Sequence, residues 1–264
     1  MNLRTDKMQA EIGDGIGWVT FNQPEKRNAI SLEMWQALGE ILEAFDQASE
    51  VRVVVLRGAG GKAFVSGADI SEFDTKRADA AQRESYGAVA GHANRWLAGI
   101  RKPMIAMIQG YCIGGGLATA LNADVRFATP ESTFGIPAAR LGLGYEKAGI
   151  KALVDLVGPA NARDIMISAR FFEAAEAYQM GLINFVVPSE RLQAEVTAYA
   201  MRVAANAPLT VHAARETIRA VLRPDKDQDP KAIQELIDAC FNSQDYKEGR
   251  RAFKEKRTPN FKGV

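Results

Sequence analysis

Apolar and polar residues alternate at the start of the chain. Met8, Ala10 and Ile12 form one short run, Gly13-Asp14-Gly15 interrupts it, and Ile16 to Phe21 resumes the extended pattern. A period of two around a glycine-bearing turn predicts a β-hairpin. The period then changes: after Ser31, the residues Met34, Leu38, Ile41, Leu42 and Phe45 share one face at helical spacing, so a helix with Ser31 as its N-cap is expected. Val51 to Leu56 is almost unbroken β-branched sequence, the mark of a strand covered on both faces. Gly58 to Asp69 then reads as a loop, and an alanine-rich helix is expected from about Ala78 to Leu97.

The theme recurs. Met104 to Ile108 reads as a buried strand, Gly110 to Gly116 as a turn, Leu117 to Asn122 as a helix and Val125 to Ala128 as another short strand. From Glu146 onward the pattern is mostly helical, broken at Gly158-Pro159, Gly181, Pro188, Pro208 and Pro224, with one strand at Asn184 to Val187. Strands alternating with helices predict an α/β core over 1–200, followed by a helical C-terminal region over 201–264. No low-complexity linker separates the two.

Composition narrows the class. The chain has 264 residues, 47% apolar and 25% charged, enough to bury a sizeable core. A formal charge of +1 offers no overall field for nucleic acid or a membrane surface, so neither is expected as a partner. No apolar run approaches the roughly 18 residues of a membrane span, and Met1 to Ala10 is polar and mixed in charge, unlike a signal peptide. Cys112 and Cys240 do not make a disulfide framework, so a soluble protein of the reducing cytoplasm is expected. His92 and His212 lack metal-ligand spacing, Cys112 lacks a nearby base and reads as a small buried hydrophobe, and Asp124 reads as orienting the turn into its strand. With no P-loop or dinucleotide fingerprint either, neither a metal nor a separate cofactor is expected.

Two glycine-containing turns carry the candidate chemistry: Ala63-Phe64-Val65-Ser66-Gly67-Ala68-Asp69-Ile70 and Gly110-Tyr111-Cys112-Ile113-Gly114-Gly115-Gly116. Residues without a Cβ let a ligand approach the backbone, and the second run opens a helix whose first N–H groups lack intrahelical partners. Such donors suit a negative charge developing on oxygen. A single glycine triplet reads more simply as a tight turn with no ligand.

The pair together closely resembles the two oxyanion-hole segments of the crotonase (enoyl-CoA hydratase/isomerase) superfamily. The likeness extends over Pro24-Glu25-Lys26-Arg27-Asn28-Ala29-Ile30, similar to that family's N-terminal CoA-binding turn, and over Phe134-Gly135-Ile136-Pro137, Gly181-Leu182-Ile183 and the tail Ala252 to Arg257. The resemblance implies the ClpP/crotonase fold, a spiral of ββα units with a helical C-terminal region that builds a trimer or a dimer of trimers. It implies that the backbone N–H groups of Ala68 and Gly115 bind a thioester oxygen. Lys26 or Arg27 would lie near the phosphates, and Ala29, Ser66, Ala68, Asp69 and Ile70 would line the path of the CoA moiety. The tail from Lys247 to Lys262 holds seven Lys/Arg against two acidic residues. It reads either as a solvated helix face or, by resemblance, as a segment with Phe253 and Lys256 bordering a CoA site.

The chain also departs from the family's hydratases, which carry two glutamates for moving protons to and from water and substrate. By resemblance those positions are Ala118, one helical turn after Gly115, and Ala138, after Pro137. The nearby candidates are Glu146, placed where dienoyl-CoA isomerases keep a catalytic aspartate, and Tyr145, similar to the tyrosine of a decarboxylase branch that has a histidine where this chain has Ala68. Glu146 equally suits a plain helix start, and Tyr145 a ring packed with its hydroxyl at a wet edge. The favoured expectation is isomerase or lyase chemistry on an acyl-CoA through an oxyanion-stabilised enolate. Enoyl-CoA hydration, acyl-CoA decarboxylation and a non-catalytic acyl-CoA-binding scaffold are the alternatives.

Overall fold

The computed structural model describes residues 3–72, 80–145, 147–224 and 227–264, with the side chains of 70 and 80–86 outside the description. β1 (Met8–Gly13) and β2 (Ile16–Phe21) pair antiparallel, the hairpin that the alternation predicts. α1 (Leu32–Gln47) starts where the Ser31 side chain accepts from the Met34 N–H at 3.4 Å, and it buries Met34, Leu38, Ile41, Leu42 and Phe45.

Three units of two strands and a helix follow. They are β3 (Val53–Gly58), β4 (Ala63–Val65) and α2 (Ala80–Gly99); β5 (Met104–Ile108), β6 (Tyr111–Ile113) and α3 (Gly115–Ala120); and β7 (Val125–Ala128), β8 (Thr133–Gly135) and α4 (Lys147–Ser168). β9 (Phe172–Glu173), α5 (Ala174–Gln179) and β10 (Phe185–Val186) come next. The chain then continues through α6 (Ser189–Ala204), α7 (Pro208–Val221), α8 (Pro230–Asn242) and α9 (Gln244–Glu255). The first strands of the units join a six-stranded sheet, β1-β2-β3-β5-β7-β10, and the second strands a four-stranded sheet, β4-β6-β8-β9. The α/β expectation holds.

Burial on both faces explains the unbroken apolar run of β3. Val54 and Leu56 point into the larger core with α1 and the second sheet, whereas Val53 and Val55 meet Leu192, Val196 and Ala200 of α6 on the opposite face. Fully burying each such side chain stabilises the fold by roughly 1.5–3 kcal/mol, so both faces of the sheet contribute to holding the strand.

The second sheet differs from the sequence reading. β4 lies in the stretch read as a loop and β6 in the stretch read as a turn, and β8 and β9 carry no periodic signal. The reason is length: Ala63, Phe64 and Val65 are all buried, so a three-residue strand covered on both sides shows no alternation. The corner between β5 and β6 is made by Gly110, with φ 71°, where a Cβ would land on the Lys62 carbonyl. α3 starts two residues earlier than its first strong helix former, at Gly115. Among the described residues, no helix is long and apolar enough to cross a membrane.

Candidate active site

β4 runs parallel to β6 and β6 to β8, with Val65 opposite Cys112 and Ile113 opposite Gly135. Parallel neighbours finish at the same edge, so the segments after them, 66–69, 114–116 and 136–138, emerge side by side. This edge of a parallel sheet is where such folds expose loop backbone to ligands. The Gly114 N–H donates to the Gly135 carbonyl at 2.8 Å, tying the second segment to the third. Gly116 presses the first turn of α3 against β4 so closely that a Cβ there would overlap the Val65 carbonyl. A side chain at 116 therefore pushes the helix start away from the neighbouring loop.

The first loop is held by Ile30 in a parallel bridge to Ala68. The Ile30 N–H donates to the Gly67 carbonyl at 2.8 Å, and the Asp69 N–H donates to the Ile30 carbonyl at 2.9 Å. Across the trans peptide, a Gly67 carbonyl aimed at Ile30 turns the Ala68 N–H the opposite way. Gly115 lies close to the same peptide: a Cβ built on it would stand 3.8 Å from the Ala68 nitrogen and 4.0 Å from the Gly67 carbonyl carbon. Gly115 is the first helical residue, so its N–H has no carbonyl one turn back to bond. The Ala68 nitrogen thus lies beside the small space left open by the missing side chain of Gly115.

The turn before Ile30 is stitched to the same loop. Arg27 and Asn28 both adopt positive φ, 52° and 56°. Asn28 is fully buried, donates to the carbonyls of Ala59 and Ala63 at 2.9 and 2.8 Å, and accepts from the Gln23 N–H at 2.9 Å. The Ser66 N–H donates to the Arg27 carbonyl at 3.1 Å, and the Arg27 guanidinium lies 5.0 Å from the centre of the Tyr111 ring. Lys26 Nζ donates to Asp69 at 2.8 Å, and the same carboxylate accepts from the Ser71 N–H and hydroxyl at 3.0 and 2.6 Å. Burial alone raises the Asp69 pKa, but the hydrogen bonds from Lys26 and Ser71 outweigh it and hold the carboxyl at about 2.

Comparison with known proteins fits this geometry. Residues 11–264 match the family described as enoyl-CoA hydratase/isomerase. The chain belongs to that family. It is 33% identical over 242 residues to the short-chain-enoyl-CoA hydratase of Clostridium acetobutylicum, covering 92% of each chain. It is 32% identical to the crotonyl-CoA hydratase of Syntrophomonas wolfei, covering 91% of this chain and 92% of the other. The structure superimposes on that of an enoyl-CoA hydratase/carnithine racemase from Magnetospirillum magneticum with a TM-score of 0.93 and 36% identity, over 98% and 97% of the two chains. The fold is accordingly the α/β crotonase fold.

Within this enoyl-CoA hydratase/isomerase-family fold, Ala68, Gly115, Lys26, Arg27, Ala29, Ser66 and Asp69 gather around the two loops. Asn28 and Glu72 also belong to this scaffold, although their types alone gave no role: Glu72 accepts from the Leu32 N–H at 2.8 Å and helps cap α1. For Asn28 a signal was present, since a short amide side chain tolerates positive φ. Ala118 follows Gly115 by one helical turn and is partly buried, whereas Ala138 is buried in the short 3-10 segment Pro137–Leu141. Tyr145 packs against the core, and burial raises its pKa. Glu146 and the Ile70 side chain lie outside the described residues.

Other candidates stand apart from the loops. Phe253 is 86% exposed on α9, and Lys256 ends that helix with φ 54°. In the basic tail, Arg251 and Arg257 are paired with Glu248. Cys112 is fully buried and its thiol pKa is pushed up by burial, in keeping with a packing role. His92 lies 3.8 Å from Glu43. His212 is half-buried, and burial lowers its pKa.

Proposed function

We propose that this protein transforms an acyl-CoA thioester, holding the carbonyl oxygen between the N–H groups of Ala68 and Gly115. The observation that supports the reading is the closeness of the two loops, a Cβ on Gly115 standing only 3.8 Å from the Ala68 nitrogen. When a base removes the proton α to the thioester, the electron pair moves onto the carbonyl oxygen. Each preorganised donor stabilises that charge by about 2.7–4 kcal/mol. Returning the proton to a different carbon completes an isomerisation, and expelling a leaving group from the β-carbon completes a lyase reaction. Glu146 is the proposed base, with Tyr145 as a second proton-transfer candidate. Ala118 and Ala138 stand where two hydratase glutamates would be, and a methyl group transfers no proton. That favours single-base isomerase or lyase chemistry.

Enoyl-CoA hydration is the second reading, favoured by relatives that carry hydratase names. Mass spectrometry of products from a panel of enoyl-, dienoyl- and malonyl-type CoA esters separates isomerase or lyase, hydratase and decarboxylase. Exchange of the α-proton with deuterium separates any of these from a binding scaffold. A protein that binds CoA esters but neither exchanges the proton nor yields product is the scaffold. One that binds no CoA ester defeats the proposal.

We also propose that the protein is a trimer or hexamer. An apolar groove of about 840 Å³ runs between α7, α8 and α9, lined by Ile218, Ile237, Phe241, Tyr246 and Phe253.

A further inference from the structure

The Asp69 carboxylate is taken up by partners within the chain. It is 7% exposed and takes hydrogen bonds from Lys26 Nζ, the Ser71 N–H and the Ser71 hydroxyl. Its neighbour in the chain is Ala68, and the two peptide groups around Ala68 are both bonded to Ile30. We propose that Asp69 is a positioning residue whose carboxylate, clamped to Lys26 and Ser71, fixes the direction in which the Ala68 N–H points. This inference rests on the reading of Ala68 as a thioester-oxygen donor.

The geometry is a closed ring. Lys26 begins the turn that leads to Ile30, Ile30 grips the peptide groups on either side of Ala68, and the Lys26–Asp69 contact joins the two segments a second time. Gly67, just before Ala68, has φ 123° and a Cβ there would meet only the Ile113 carbonyl at 3.7 Å, so packing does little to hold that peptide. Without the carboxylate both Ser71 donors lose their acceptor, and Lys26 keeps only its 3.1 Å bond to the Ser71 hydroxyl. The Ala68 peptide is then held by two backbone bonds next to a permissive glycine. Donors aimed at a developing oxyanion act through alignment, and a misplacement of about 1 Å costs on the order of 10²-fold in rate. Of the other charges near the ring, Lys7, just before β1, feels the Asp69 charge but hydrogen-bonds Glu33 in the first turn of α1, and Glu72, three residues after Asp69, accepts from the Leu32 N–H. The Asp69 carboxyl, held at about 2, is ionised throughout the working range of the protein.

The test is the Asp69→Asn variant, followed by the infrared carbonyl band of butyryl-CoA labelled at the thioester carbon and by turnover of the substrate that the panel identifies. Asp46→Asn is the control: Asp46, in the last turn of α1, is as buried and accepts from the Arg101 N–H at 2.7 Å and Nε at 2.8 Å, Arg101 lying on the segment that enters β5 at the opposite edge of the sheet. In wild type the band is expected to move to lower frequency on binding. Asp69→Asn is expected to lose half or more of that displacement and about 10–100-fold in kcat, with the butyryl-CoA dissociation constant within about threefold of wild type. Asp46→Asn is expected to keep both the band and kcat. If Asp69→Asn does not fold, Ser71→Ala, which removes the hydroxyl donor to the same carboxylate, is read the same way. A wild-type band position and kcat in the folded variant overturn the positioning role, as does an equal loss in the control. A wild-type protein that binds butyryl-CoA without displacing its carbonyl band defeats the underlying oxyanion reading, and this inference with it.

Discussion

Arg215 of α7 places its Nε 2.7 and 2.8 Å from the two carboxylate oxygens of Asp124, at the start of β7. That carboxylate also accepts from the Met104 N–H at 2.7 Å, and the guanidinium donates to the Ile100 carbonyl. Arg215 is only 7% exposed, and among the described residues its remaining terminal nitrogen has no partner. The pair therefore fastens a C-terminal helix to the edge of the sheet opposite the two loops. Arg215 is buried but Asp124 is exposed, so Asp124→Ala leaves a buried guanidinium short of an acceptor and is expected to destabilise the protein by about 1–3 kcal/mol in urea titration. A loss below about 1 kcal/mol means that water or another group takes over the charge.

Gly115 occupies the first position of α3, where proline is tolerated because the N–H it lacks has no intrahelical partner. Gly115→Pro therefore removes one donor at little cost to the helix. Expected is a 10²–10³-fold fall in kcat, roughly the cost of losing one oxyanion donor. Circular dichroism and CoA-ester binding must be retained for the comparison to count. Unchanged turnover in that folded variant would falsify the donor assignment.

Crotonyl-CoA hydration by the wild type is expected to be very slow, since each missing acid–base group is worth about 10²–10⁴-fold. Glu146→Gln is expected to abolish the principal activity with little change in CoA-ester affinity, because the amide keeps the shape and loses the basicity. One spectrophotometric assay reads both. Rapid hydration by wild type refutes the reading of Ala118 and Ala138, and full activity in Glu146→Gln reduces that residue to a helix start.

Asp69 also sets a pH signature. Its folded-state pKa of about 2 lies below the ordinary carboxylate value, so its ion pair stabilises the fold fully above pH ~4. That contribution falls away as the pH drops through about 2, where the folded-state carboxyl takes up its proton. The urea midpoint of wild type minus that of Asp69→Asn is expected to be constant above pH ~4–5 and to shrink on acidification toward the folded-state value. A difference that does not change with pH assigns the effect of the substitution to packing.

The exposed apolar groove leads to a hydrodynamic expectation. Ile218, Phe241 and Phe253 are 64%, 59% and 86% exposed in the single chain, a large apolar area for an isolated surface. Wild type is expected to sediment as a trimer or hexamer at micromolar concentration, and Ile218→Asp to shift the boundary toward monomer. A monomeric wild type rejects the assembly.

Much of the first sheet was legible before any coordinates. The alternation of Met8 to Phe21, the helical face running from Met34 to Phe45 and the apolar runs of β3, β5 and β7 each report which sides of a segment are buried. That information is local, because period two and period 3.6 follow from the geometry of one strand or one helix. The second sheet was not legible in this way: β4, β6 and β8 have three residues each, too few for a period, and β4 is buried at every position.

For the site, the residue types and motif order alone brought out Ala68, Gly115 and the turn from Pro24 to Ile30, and placed the chain in its family. Their meeting was decided by tertiary structure. Nothing along the chain states that Ile30 bridges Ala68, that Ala68 lies beside Gly115, or that Lys26 closes onto Asp69 across 43 positions. These contacts depend on which strands become neighbours and where they end. That is settled by burial of both sheet faces at once, a property of the whole core and not of any segment.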